Sequence, residues 1–175
     1  MLPVQEVVDR ILKGEVVVLP TDTTYGLSCL AGDEEAIQKI SRFKINRESK
    51  FYITLIGEVS QLAILKVVPT KAESSLMARY WPGPLTIVFS TGRSVRLPDY
   101  PELREVIRQT GPIVSTSANP CGRPIADSIE MAREYFGDKV TGYFDAGRLV
   151  GSPSTVVQFQ DDILKILRQG ELRVV

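Results

Sequence analysis

The sequence predicts an α/β protein in which a single domain carries a twisted, mixed sheet flanked by helices. The chain has 175 residues, the usual size of one domain, and 43% of them are hydrophobic, which is ample for a packed core. Apolar runs of strand length alternate with segments of helical periodicity, although not in a strict strand–helix–strand rhythm. The last apolar runs look consecutive, which favours a mixed sheet over a purely parallel one. Because no repeat or linker interrupts the pattern, we expect residues 1–175 to form one domain.

Helices are predicted where apolar residues recur at helical spacing beside a start or stop signal. The first, over 4–12, ends near Gly14, and the second begins after the N-cap Asp33. A short helix is expected at 59–65. The other three begin at the capping box Thr70-Lys-Ala-Glu73, at Pro101, and at the capping-box-like Asp127-Ser-Ile-Glu130.

Strands are predicted at apolar runs that are bounded by glycine, proline or short polar residues. In order they are 16–19, 27–31, 51–56, 85–89, 95–97, 112–115, 140–144, 155–159 and 163–167. Pro20 ends the first strand because it has no N–H to give to a neighbouring strand. Asp161-Asp162 is the predicted turn of a closing hairpin.

The composition excludes several kinds of site. Histidine is absent, which rules out histidine acid–base chemistry, Ser-His-Asp triads and His-Glu-x-x-His zinc sites. Lys plus Arg and Asp plus Glu are both 21, so the net charge is zero and broad electrostatic binding of nucleic acid is not expected. The isolated Cys29 and Cys121 favour reduced thiols over a disulfide. Because no apolar run is long enough to span a membrane and no signal-peptide pattern is present, we expect a cytoplasmic protein.

Four polar stretches each sit at the end of an apolar strand or helix: 21–24, 44–50, 115–119 and 152–155. In a compact mixed sheet such ends can converge on one rim, where small ligands usually bind. Their hydroxyl and amide groups can orient a polar ligand. The cations that could hold its carboxylate or phosphate oxygens are Lys44, Arg47, Lys50, Arg96 and Arg168. Taken alone, 44–50 could be a solvated charged loop and 115–119 a turn that supplies its own hydrogen bonds. Arg96 could be a surface strand charge, and Asp22 could cap a turn rather than act as a base.

Several short motifs stand in one order along almost the whole chain. They are Pro20-Thr-Asp-Thr-Thr-Tyr-Gly-Leu27, Lys44 after a helix, Trp81-Pro-Gly-Pro-Leu-Thr86, Val95-Arg-Leu-Pro98, Ser115-Thr-Ser-Ala-Asn119 with Gly122-Arg-Pro124, Ser154-Thr-Val-Val157 and Leu167-Arg168-x-Gly170. In this order they resemble the YrdC-like family, the threonylcarbamoyl-AMP synthases that begin threonylcarbamoyl-adenosine modification of tRNA. The likeness is to the short form, without the extra C-terminal domain of longer relatives.

The resemblance implies a YrdC-like fold with a large, positively lined cavity. It also implies a nucleotidyltransferase that forms threonylcarbamoyl-adenylate and pyrophosphate from L-threonine, bicarbonate and ATP. Mg²⁺ would come with the ATP as cofactor, without a metal site of protein side chains. The implied macromolecular partners are tRNA and the tRNA threonylcarbamoyl-transfer complex, and no membrane is involved.

The resemblance further implies roles for the residues at matching positions. Those expected to bind L-threonine are Thr21, Thr23, Arg96, Ser115 and Ser154, with Arg96 taking the carboxylate. Those expected to bind ATP are Lys44, Arg47, Lys50, Ser117, Asn119 and Arg168. Lys44 and Arg47 are also the expected catalytic residues, because the chemistry is mostly positioning and charge neutralisation.

One stretch departs from the family pattern of Lys-x-Arg followed by Pro-Leu. Here Asn46 occupies the arginine position, Arg47 comes one residue later, and Phe51-Tyr52 replaces the Pro-Leu pair. The departure keeps a second hypothesis open, a non-catalytic YrdC-like protein that binds RNA or nucleotide, although the zero net charge weakens it. A third hypothesis, a carbamoyl-transfer domain of the kind found in hydrogenase-maturation proteins, ranks last.

Overall fold

The computed structural model describes residues 1–44 and 52–175. The helices of this part are α1 (Val4–Leu12), α2 (Glu34–Phe43), α3 (Lys71–Tyr80), α4 (Pro101–Thr110) and α5 (Ile129–Phe136). The strands are β1 (Val17–Leu19), β2 (Gly26–Leu30), β3 (Ile53–Leu55), β4 (Leu85–Val88), β5 (Ser94–Arg96), β6 (Ile113–Ser117), β7 (Gly142–Tyr143), β8 (Thr155–Gln160) and β9 (Ile163–Arg168).

The strands of the described residues form one nine-stranded sheet in the order β7-β1-β2-β6-β3-β5-β4-β8-β9. Antiparallel pairing joins β1 to β2, β2 to β6, β6 to β3, β5 to β4 and β8 to β9. Parallel pairing joins β7 to β1, β3 to β5 and β4 to β8. The predicted mixed sheet flanked by helices is therefore confirmed.

The late strands occur in the predicted order along the chain. β8 and β9 form the closing hairpin, and its turn residues Asp161 and Asp162 have φ values of 50° and 61°, which short polar residues tolerate. β7, β8 and β9 also follow one another along the chain without an intervening helix, as predicted, but β7 pairs with β1 at the opposite edge of the sheet. Periodicity identifies a strand, but its neighbour is decided by which edge has backbone groups to satisfy.

Two helix predictions need correction, one in its length and one in its N-cap. A short helix was predicted over 59–65, but the segment contains only a 3₁₀ turn at Val59–Leu62. The N-cap of α5 is Ser128, whose hydroxyl accepts a hydrogen bond from the first turn. Asp127, the predicted cap, instead pairs with Arg148 at 2.8 Å. The cap of α5 thus lies one residue later than predicted.

Helices cover both faces of the sheet. α1 and α4 pack on one face around Val17, Leu55 and Ile113. α2 and α5 pack on the other face around Leu27 and Val114. α3 covers β4, β5 and β8. The face under α1 and α4 is covered only in part, and the polar pocket opens there.

The two cysteines lie in different surroundings. Cys29 is buried on β2, and burial raises the pKa of its thiol to about 12. Cys121 is exposed. Both are free thiols, as the sequence predicts.

Candidate functional site

An open pocket of about 100 Å³ lies over the middle of the sheet. Its floor is built from side chains on paired strands, because residues opposite each other in a ladder point to the same face. Gly26 is opposite Ser117, and Leu55 is opposite Arg96. The predicted site residues that line the pocket are Thr21, Thr23, Arg96, Ser115, Ser117, Ser154 and Arg168. The strand ends thus converge on one rim. The sequence also predicted a large cavity lined by positive charge. That stays a prediction, because two of the expected cations, Arg47 and Lys50, lie outside the described residues.

The turn after β1 forms a chain of hydrogen bonds that ends at Arg96. Thr21 Oγ1 donates to the carbonyl oxygen of Thr24 at 2.8 Å, so its proton is used. Thr23 Oγ1, 2.9 Å away, therefore donates to Thr21 Oγ1. That leaves Thr23 Oγ1 as the acceptor for Nη1 of Arg96 at 3.1 Å. The threonines do satisfy their own backbone, and in doing so they also fix the orientation of an arginine.

Arg96 is buried, with 4% of its surface exposed, so the alternative of a surface strand charge is wrong. Its Nη2 lies 3.1 Å from Oδ1 of Asp22. The contact is an ion pair and not a hydrogen bond, because the N–H of Arg96 is poorly aligned with Oδ1. Nε of Arg96 has no hydrogen-bond partner among residues 1–44 and 52–175. Burial lowers the pKa of Arg96 and the Asp22 carboxylate opposes that shift. The guanidinium remains charged, since its ordinary pKa is so high.

Two serines connect the pocket wall to its second cation. Ser115 Oγ accepts a hydrogen bond from Ser28 Oγ at 3.0 Å. Ser154 Oγ lies 2.8 Å from Thr86 Oγ1 and accepts from Nη2 of Arg168 at 3.1 Å. The residues predicted for threonine and for ATP therefore meet at Ser154, because Arg168 belongs to the second group.

Lys44 forms a separate cluster behind the pocket. The residue is 1% exposed, and its Nζ donates to Asn119 Oδ1 and to the carbonyl oxygen of Asn119, both at 2.7 Å. It also donates to the carbonyl oxygen of Ser117. Ser117 Oγ in turn donates to Asn119 Oδ1 at 2.7 Å. Three predicted ATP-site residues are thus joined, and Ser117 alone of the three also lines the pocket.

Comparison with known proteins decides the family. The family model for Sua5, YciO and YrdC, described as telomere recombination, matches residues 9–170. The chain belongs to the Sua5/YciO/YrdC family. Threonylcarbamoyl-AMP synthase of Bacillus subtilis (strain 168) is 33% identical over 90% of this chain. The protein of the same name from Pseudomonas syringae pv. syringae is 32% identical over 95% of it. The structure of P. abyssi Sua5 complexed with L-threonine superposes with a TM-score of 0.89, at 30% identity over 97% of this chain.

The Sua5/YciO/YrdC relatives differ in length. The chain spans 50% of the Bacillus subtilis synthase and 54% of P. abyssi Sua5, but 97% of the Pseudomonas syringae synthase. The predicted family and its fold are confirmed, and the synthase function predicted from the sequence is supported by the names of these relatives. No helix in the described ranges, 1–44 and 52–175, is both long and apolar enough to cross a membrane.

Sequence reasoning missed part of this Sua5/YciO/YrdC pocket. Gly26, which lines the pocket, was not among the predicted site residues, and neither were Ser28 and Thr86, whose hydroxyls contact the lining residues Ser115 and Ser154. The signal was present in β2, where small residues at alternate positions interrupt an otherwise apolar strand and so mark one face. Asp22 was considered only as a turn cap or a base, and its position beside Arg96 is new.

One motif residue serves the fold rather than the pocket. Tyr25 is fully buried, donates from its hydroxyl to the carbonyl oxygen of Gly147 at 2.7 Å, and accepts from N of Ala146 at 2.9 Å. Burial raises its pKa to about 12. Tyr25 therefore ties the loop after β7 to the threonine turn and stays neutral while doing so.

Proposed function

We propose that this chain is a threonylcarbamoyl-AMP synthase that makes threonylcarbamoyl-adenylate and pyrophosphate from L-threonine, bicarbonate and ATP. The observation that carries the proposal is the buried guanidinium of Arg96 in a hydroxyl-lined pocket that also contains Arg168. The names of the relatives and the likeness to P. abyssi Sua5, whose structure is complexed with L-threonine, support it.

The amino-acid subsite is formed by Arg96 and the hydroxyls around it. Arg96 gives a bidentate donor for the threonine carboxylate, and Thr23 and Asp22 hold it from two sides. Ser115 and Ser154 offer short polar contacts for the amine and hydroxyl of the substrate. In this arrangement the amine would face the pocket, where it could react.

The nucleotide subsite begins where Arg168 meets Ser154 and continues toward Ser117. Arg168 supplies positive charge for phosphate oxygens, and the Lys44 cluster positions the end of β6 beside them. Arg47 and Lys50, predicted to bind ATP as well, lie outside the described residues and remain part of the proposal.

The reaction needs orientation and charge neutralisation more than acid–base groups. The threonine nitrogen forms a bond to the bicarbonate carbon and one oxygen leaves as water. A carbamate oxygen then bonds to the α-phosphorus while the bond to the β-phosphate breaks and releases pyrophosphate. Holding the three substrates in one pocket supplies the proximity, and fixed cations neutralise the charge that builds up on the phosphates. A chain without histidine can therefore catalyse it.

Mg²⁺ belongs to the proposal as part of the nucleotide substrate. The described residues contain no group of three or more Asp, Glu, His or Cys side chains that could hold a metal ion. The cation would instead be held by the triphosphate, whose charge it partly neutralises. The product would pass to tRNA and its threonylcarbamoyl-transfer complex.

The proposal is tested by pyrophosphate release. With ATP, L-threonine, bicarbonate and Mg²⁺ present, we expect steady release that disappears when any one of the four is omitted. Release that does not depend on threonine would refute the proposal. Nucleotide binding without turnover, together with salt-dependent retardation of tRNA in a gel, would favour the non-catalytic RNA- or nucleotide-binding alternative.

The pocket floor gives a further prediction through Gly26. A Cβ at this position would lie 2.5 Å from Ser115 Oγ, so the serine hydroxyl must be displaced. We expect Gly26→Ala to weaken L-threonine binding by about fivefold, since a displaced polar contact typically costs about 1 kcal/mol. Gly32→Ala is the matched control, because a Cβ there meets nothing within 4 Å. Calorimetry that gives the two variants equal threonine affinities would contradict this floor geometry.

A further inference from the structure

Asp22 is a buried carboxylate directly beside the arginine of the amino-acid subsite. Its Oδ1 lies 3.1 Å from Nη2 of Arg96, and the two side chains are 8% and 5% exposed. Its Oδ2 accepts a hydrogen bond from N of Asp99 at 3.1 Å, which ties the threonine turn to the loop after β5. Arg96 lines the pocket and Asp22 does not. Asp22 therefore acts on a ligand through Arg96 and through its electric field.

A guanidinium without this counter-charge would be a poor selector. Charges interact strongly where water is excluded, so a lone buried arginine attracts any small anion. In the proposed function the triphosphate of ATP enters the same pocket, and arginine is well suited to phosphate oxygens. An unneutralised Arg96 would thus compete with Arg168 for the nucleotide.

The ion pair changes which ligands are favoured. Arg96 and Asp22 together carry no net charge, so a simple anion is attracted by one partner and repelled by the other. An α-amino acid carries both charges. Its carboxylate can contact Arg96 while its ammonium group reduces the repulsion from Asp22. A zwitterion is therefore favoured over an anion of the same shape.

The pair also fixes the guanidinium plane. Thr23 is bonded to Nη1 and Asp22 contacts Nη2, so two neighbours hold two different nitrogens. The backbone of Arg96 is held as well, because its carbonyl oxygen accepts from N of Ile56 at 3.0 Å. With both ends of the side chain constrained, the donor geometry is set before a ligand arrives.

We infer that Asp22 is a positioning residue that makes the pocket select an α-amino acid over anions that lack the α-ammonium group. The inference rests on the proposed function, because it takes Arg96 as the group that binds the substrate carboxylate.

The test compares L-threonine with 3-hydroxybutyrate, which keeps the carboxylate and hydroxyl but lacks the amine. Calorimetry measures both affinities, the weaker ligand being measured by its competition with the tighter one, and the two values give their ratio. In Asp22→Asn we expect threonine to bind about tenfold more weakly while 3-hydroxybutyrate binds as well or better, since one ionic contact is worth about 1–2 kcal/mol. Asp99→Asn is the control, because it makes the same chemical change on an exposed side chain. Asp99 contacts Asp22 through its backbone N, which the substitution keeps.

A second variant keeps the inference testable if Asp22→Asn folds poorly. Asp22→Glu retains the charge but moves it by one methylene, so both ligands should weaken while their affinity ratio stays within about twofold. The inference would be overturned if Asp22→Asn left the ratio of threonine to 3-hydroxybutyrate affinity unchanged. It would also be overturned if Asp22→Glu lowered that ratio as much as the loss of the charge is expected to. Either result would leave the proposed function intact. Failure of the unmodified protein to bind L-threonine would overturn both.

Discussion

Replacing Arg96 by alanine is expected to weaken L-threonine binding by about 100-fold or more, since a charge-assisted bidentate contact is worth about 3 kcal/mol. Arg96 is the buried cation of the hydroxyl-lined half of the pocket, and Thr23 and Asp22 already orient it. The other cation among the described lining residues, Arg168, is hydrogen-bonded to Ser154 and not to Thr23 or Asp22. Calorimetric titration with L-threonine measures the loss directly.

The same variant should also lose stability. Removal of Arg96 leaves Asp22 buried with only the N of Asp99 as a partner, and breaking a buried pair from one side costs about 3–5 kcal/mol. Arg96→Lys keeps the charge but lacks the planar guanidinium. Its stability and its affinity for threonine should therefore lie between those of the unmodified protein and Arg96→Ala. Arg93→Ala is the matched control, because it removes the same charge from an exposed side chain nearby. If Arg96→Ala bound threonine as tightly as Arg93→Ala, Arg96 would not be the carboxylate-binding group.

Replacing Lys44 by methionine is expected to lower the free energy of unfolding by about 2–4 kcal/mol, because buried acceptors lose a charged donor. Nζ of Lys44 donates to the backbone of Ser117 and to both oxygens of Asn119. Methionine has a similar length but cannot donate. The end of α2 would then lose its link to the end of β6, and binding of MgATP should weaken with it. Denaturant unfolding and nucleotide titration measure the two effects.

The control for Lys44 is on the same helix. Lys39 is exposed on α2, so Lys39→Met makes the same chemical change without removing a buried donor. We expect its unfolding free energy to change by less than about 0.5 kcal/mol, as is usual at the surface. Equal stability of the two variants would mean that the Lys44 cluster does not hold the strand end in place.

Local patterns in the sequence were sufficient for most elements and for the composition of the pocket. The Thr70–Glu73 capping box is present at the start of α3, and the Asp161–Asp162 turn closes the last hairpin. The strand ends that carry Thr23 and Ser115 converge as expected. Each of these follows from short-range rules for caps, turns and strand ends.

What the sequence could not predict depends on partners far apart in the chain. The pairing of β7 with β1 requires knowing which sheet edge is open. The contact between Asp22 and Arg96 joins the turn after β1 to the end of β5, which only the folded sheet brings together. The ion pair of Asp127 with Arg148 likewise joins residues far apart in the chain. The roles of Arg47 and Lys50 stay predictions, because both lie outside the described residues.

The central claim is that one pocket holds L-threonine beside a nucleotide, and calorimetry on the unmodified protein tests it most directly. L-threonine is titrated alone and again with a non-hydrolysable ATP analogue and Mg²⁺. We predict one threonine bound per chain in both titrations, with the nucleotide still able to bind, because Arg96 and Arg168 serve different ligands. Nucleotide binding without any threonine binding would contradict the claim and leave a nucleotide-binding member of the family in its place.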